Sequence, residues 1–78
     1  MKKFEYEFEF KKNLSASGQI WFENNYDEEM KKRLTRGKEF EEELLVFQGI
    51  EIMGEKGWEL CGISNDIYYF KREKNNFK

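Results

Sequence analysis

From Phe4 to Phe10 the chain reads Phe-Glu-Tyr-Glu-Phe-Glu-Phe, an unbroken alternation of aromatic and acidic side chains. A period of two is the signature of a β-strand with unlike faces, because successive side chains point to opposite sides of the pleat. Phe4, Tyr6, Phe8 and Phe10 therefore share one face, and Glu5, Glu7 and Glu9 the other. Whatever else forms, the fold must contain a sheet. The aromatic face is expected to be its core side and the glutamates its wet side.

The rest of the sequence supplies what such a strand needs. Residues 13–18 read as a loop by composition, and Ile20, Trp21 and Phe22 as either a second short strand or a cover folded back over the core. Asn25 is a suitable N-cap for a short helix that opens with Asp27, Glu28 and Glu29 and closes with Lys31, Lys32 and Arg33, the order the helix dipole favours. Its apolar stripe is Tyr26, Met30 and Leu34. Thr35-Arg36-Gly37 then breaks the pattern. A longer helix is expected over residues 38–56, ending at Gly57 as a left-handed C′ residue. Phe40, Leu44, Val46, Phe47, Ile50 and Met53 fill half of its circumference, while Leu45 and Ile52 lie opposite and need cover from the Trp21 region, the first helix or another subunit.

Residues 58–63 and 67–71 read as a hairpin around Ser64-Asn65-Asp66, since Asn and Asp tolerate the positive φ of tight turns. Both faces of this hairpin carry apolar groups, which asks for a partner on the side away from the helix. A strand joined through a helix to a hairpin gives an α+β fold. The expectation is a β-α-β-β unit, a small antiparallel sheet in order 1-3-2 covered by one long helix, with an inserted loop and short helix over residues 13–37. Residues 1–78 would form a single domain, with residues 74–78 frayed. Glu5, Glu7 and Glu9 would then lie near Lys71 and Arg72 across the strands.

Composition limits the supplements available to so small a core. Among 78 residues there is no histidine and Cys61 is the only cysteine, so neither a disulfide nor a usual structural zinc site can form. Self-association remains, and a homo-oligomer is expected. The absence of histidine also excludes Ser-His and Cys-His nucleophilic chemistry. Cys61, placed in a buried strand, is expected to act as a small hydrophobe, and Glu51 and Glu55 as a solvated helix face rather than a metal site. A net charge of -2 disfavours nucleic-acid binding. No window approaches the roughly 18 apolar residues of a membrane span, so a soluble cytoplasmic protein is expected.

The run Glu55-Lys56-Gly57-Trp58-Glu59-Leu60, with Tyr69-Phe70-Lys71-Arg72 after it and Met-Lys-Lys-Phe-Glu-Tyr at the start, resembles the family catalogued as domain of unknown function 4177. Its members are short bacterial and phage proteins. The resemblance covers residues 1–10 and 39–74. It implies one helix over a small antiparallel sheet and no catalytic residue.

One segment combines stacking surfaces with anion donors. Trp21, Phe22 and Tyr26 are followed by Arg33 and Arg36, and planar anions such as nucleotides are held by aromatic faces and guanidinium forks. The competing explanation is that the aromatics plug the sheet and the basic residues cap a helix. The expected function is non-catalytic binding of a small planar anionic ligand, without cofactor or metal, and by analogy with phage proteins the sequestration of a nucleotide-like signal. The alternative is a protein-interaction module or inhibitor acting through the sheet edge or an exposed helix stripe.

Overall fold

A computed structural model describes residues 2–74. The order is β1 (Phe4–Phe10), α1 (Lys11–Asn25), α2 (Glu28–Thr35), α3 (Glu42–Glu55), β2 (Glu59–Ser64) and β3 (Ile67–Glu73). The three strands form an antiparallel sheet in the order β1-β3-β2, an α+β fold with the long helix on the sheet. The frayed tail expected over residues 74–78 lies outside the described residues except for Lys74, whose N–H donates to the Lys3 carbonyl at 2.7 Å.

Residues 13–18 are helix, not loop, and Ile20, Trp21 and Phe22 belong to the same helix. Phe10 caps α1 without a side-chain hydrogen bond, and Ser15, Ser17 and Gly18 are weak helix formers. Packing overrides propensity. Leu14 and Gly18 on α1 meet Gly49 and Leu45 on α3, two i,i+4 pairs running in opposite directions. A methyl group at Gly18 would overlap the Leu45 carbonyl, and one at Gly49 the Leu14 carbonyl. Only hydrogen at both positions lets the backbones approach this closely. Helix α1 is thus the cover for the Leu45 and Ile52 stripe, both residues being half-buried.

Helix α2 starts later than expected, with Asp27 as N-cap rather than Asn25. The Asp27 carboxylate accepts from the Met30 N–H at 2.8 Å. The break at residues 35–37 is where the sequence places it: Arg36 and Gly37 are left-handed, with φ of 55° and 82°. Helix α3 begins at Glu42, four residues after its expected start, because Phe40 is engaged elsewhere, stacked on Phe22 at 4.7 Å between centroids. Its end is a Schellman motif. Gly57 has φ 91°, its N–H donates to the Gly54 carbonyl at 2.9 Å, and the Trp58 N–H donates to that of Met53 at 3.0 Å.

The spacing between Trp58 and Arg72 has a physical cause. The Arg72 guanidinium lies 4.3 Å from the Trp58 ring centroid, donates from Nε to Glu5 Oε2 at 2.6 Å and reaches the Lys56 carbonyl at 3.3 Å. One side chain joins β1, β3 and the end of α3.

Leu14, Val46 and Phe70 form the buried cluster, with Ile50, Met53, Trp58, Leu60 and Tyr68 packed around it. Phe70 faces the helices and pairs with Glu7 on β1, so the glutamates lie on the helix side and the aromatics of β1 on the open side. This reverses the expected orientation. Strand β1 is at the sheet's edge, where helix-side positions are rim rather than core; Glu7 is exposed there, Glu5 is held by Arg72, and Glu9 accepts from Asn13 at 3.2 Å. Three carboxylates can face the helix layer without being stranded. Lys71 is consequently not beside the glutamates: it pairs with Tyr6 and its ammonium lies 5.0 Å from the Phe4 centroid. Cys61 is exposed beside the register shift between Leu60 and Gly62, not buried as expected.

Substituting Gly18 or Gly49 with Ala should lower unfolding stability by about 1–3 kcal/mol, since a backbone carbonyl must move. Gly54→Ala, on an open helical surface, should raise it by about 0.4–1 kcal/mol. Urea unfolding followed by circular dichroism checks both signs.

Candidate functional site

Of the residues expected to bind a ligand, Trp21, Phe22 and Tyr26 come together at the end of α1. Their rings make a mutual cluster, Trp21 to Phe22 at 5.3 Å, Trp21 to Tyr26 at 5.7 Å and Phe22 to Tyr26 at 5.4 Å. Phe22 is only 4% exposed, and Phe40 stacks on it. The ring faces are largely spent on one another, so this cluster anchors the connection between α1 and α3. Arg33 is exposed and 3.5 Å from Glu29. Arg36, at the C-cap of α2, lines a groove of about 620 Å³ with Leu34, Phe40 and Leu44 as apolar walls and Lys38, Glu39 and Glu41 as charges. Trp21, Tyr26 and Arg33 are not among its lining residues. Phe40, stacked on Phe22, is the contact through which the ring cluster adjoins this groove.

Helix α2 buries no residue, and polar contacts tie it to α1. Lys31 Nζ donates to Glu23 Oε1 at 2.7 Å and lies 3.0 Å from Glu28, and Gln19 donates to the other oxygen of Glu23 at 2.8 Å. The hydrogen bond from Lys31, joined by that from Gln19, holds the Glu23 carboxyl below the usual carboxylate range, and the same bond raises Lys31 above the usual lysine range.

The larger feature is the open side of the sheet, which sequence reasoning assigned to the core. Phe4 is 40% exposed, Tyr6 70%, Phe8 54%, Phe10 44% and Tyr69 40%. The register sets them in rows: Tyr6, Lys71 and Glu59; Phe8, Tyr69 and Gly62; Phe10, Ile67 and Ser64. Phe8 and Phe10 meet edge to face at 5.7 Å. At about 200 Å² for each side chain, the exposed fractions amount to about 500 Å² of aromatic surface, the size of the largest apolar patch on a typical monomer, which is often functional. The signal that could have found it was the apolar character of both hairpin faces, which asked for a partner on this side. Among the described residues, no three His, Cys, Asp or Glu side chains converge as a metal site requires, and no helix is long and apolar enough to cross a membrane.

No family model, curated protein or solved structure matches the chain.

The polar tether makes α2 sensitive to acid. A lowered carboxyl pKa contributes stability that is complete above the ordinary carboxylate range and is lost as pH falls through the lowered value. The raised Lys31 keeps the pair charged through the neutral range. The protection of α2 amides against exchange, measured relative to the intrinsic rate at each pH, should therefore fall only below the usual carboxylate range, and Glu23→Gln should lower it already at neutral pH.

Proposed function

We propose that the protein is a non-catalytic protein-interaction module whose working surface is the open aromatic face of its sheet. The observation that carries this reading is the row of half-exposed rings, Phe4, Tyr6, Phe8, Phe10 and Tyr69, with no chain segment among the described residues laid over them. Tyrosine and phenylalanine give large rigid contact area at small entropic cost, and such residues are concentrated at interface centres. A nucleic-acid role is less well supported: stacking rings are present, but the face pairs Lys71 with Glu59 and adjoins Glu73, so it offers no cationic track for phosphates. The test is covalent capture. With photoreactive benzoylphenylalanine in place of Tyr6, irradiation of producing cells should yield a protein adduct, and the same group at exposed Glu51 on α3 should not. Absence of an adduct from position 6 would overturn this reading.

A second reading places a small planar anion in the groove beside Arg36 and Lys38, supported by its apolar walls and the Arg36 fork, with Glu39 and Glu41 in the same lining opposing it. Here a particular nucleotide should raise the melting temperature, and Arg36→Ala should abolish the rise while leaving the unliganded melting temperature unchanged. A flat response across a broad nucleotide panel would exclude it.

A further inference from the structure

We infer that the occupant of the aromatic face is a second copy of this chain, packed sheet to sheet about a two-fold axis parallel to β3. This inference rests on the interaction-module reading above and names the partner. Three observations carry it, beginning with area. A standard interface takes about 800 Å² from each partner, and its centre is about 65% apolar. The roughly 500 Å² of exposed ring surface on this face is the apolar share such an interface needs.

The second observation is shape. Along β1 the face presents Tyr6, Phe8 and Phe10, whereas along β2 the same rows end on Glu59, Gly62 and Ser64. The face is bulky on one side and low on the other. Rotation about an axis parallel to β3 exchanges those sides without shifting the rows: Phe8 comes over the partner's Gly62 and Phe10 over the partner's Ser64. A methyl group at Gly62 would meet nothing closer than Tyr69 at 4.0 Å, so the space above it is open. Two tapered faces related in this way make a layer of even thickness, and aligned sheet packing tolerates the roughly 30° rotation that strand twist adds.

The third is charge. The two adjoining rows of Phe8 with Tyr69 and Phe10 with Ile67 carry none. The charged groups sit toward one end, where the same rotation brings Tyr6 over the partner's Glu59, a phenol donor over a carboxylate. Lys71 and Glu73, both on β3, would each approach its own copy near the axis, where the Lys71 ammonium leans over Phe4, toward the rim, and the exposed Glu73 lies at the end of the face. The contact is thus uncharged over two adjoining rows, and its polar end sets the Tyr6 phenol against the partner's Glu59, each contact made twice as an isologous arrangement requires.

Light scattering coupled to size exclusion, over about 1–100 μM, decides the matter. The wild-type chain should give twice its 9.6 kDa mass. Phe8→Asp, at an exposed position, and Gly62→Leu, which fills the seat of the partner's Phe8, should each give monomer with unchanged circular dichroism. A 9.6 kDa species throughout would overturn the inference, as would a dimer that survives both substitutions. Loss of the dimer in Phe8→Asp but not in Gly62→Leu would overturn the two-fold arrangement. A monomer that still forms the adduct from position 6 with a different protein leaves the interaction-module reading standing and removes only the second copy; a monomer with no adduct removes both.

Discussion

The backbone contact between α1 and α3 at Gly18 and Gly49 governs the rest of the structure. Helix α1 has little of its own to hold it, with no acidic residue in its first turn, no basic residue in its last and no side-chain cap. Its helical state depends on α3, and α3 in turn has an apolar stripe that α1 covers. Close approach strengthens dispersion between many atoms at once and leaves no room for a side chain between the two axes. The two helices together make one thin layer, and Leu14 passes from that layer into the cluster with Val46 and Phe70. Because the helices satisfy each other, neither has to wrap onto the far side of the sheet.

That division explains what could be read in the amino-acid sequence. Strand β1, the long helix, its glycine terminus and the hairpin follow from periodicity and turn chemistry, and strand order follows from the connections. Residues 13–18 are hard to read because Ser, Ala and Gly look the same whether they make a loop or a tight helix contact; the facing Gly49 on α3 distinguishes the two, and it is remote in sequence from the Leu14 it meets. The orientation of β1 was misread for a different reason. Alternation assigns residues to two faces but does not say which is inside, and the usual inference from hydrophobicity fails for an edge strand whose glutamates reach Arg72, Asn13 and solvent.

The expected binding residues show the same difficulty. Trp21, Phe22 and Tyr26 meet as a ring cluster, but stacking rings serve a ligand only if their faces are free, and Phe40 could not be placed against Phe22 from the sequence. The structure gives residues 55–60 and 69–72, the most distinctive run of the sequence, a mechanical role. Gly57 ends α3, Trp58 supports Arg72, and Arg72 returns to Glu5. These contacts hold the sheet to the helix end on one side, leaving the rings of β1 and Tyr69 on the other.

Strand β1 and helix α1 are joined with no intervening residue: Phe10 is the last of the strand and also the N-cap, and the Lys11 N–H is bonded to the Asp66 carbonyl at 2.8 Å. Such a junction works as a gear. Adding or removing one residue in β1 would exchange its faces and turn α1 by about 100°, taking Gly18 out of mesh with Leu45. Length variation over evolution should accordingly be excluded from residues 4–18 and accumulate in the polar stretch around α2, making the spacing from Phe10 to Gly18 a more durable mark of common descent than the identity of the residues between them.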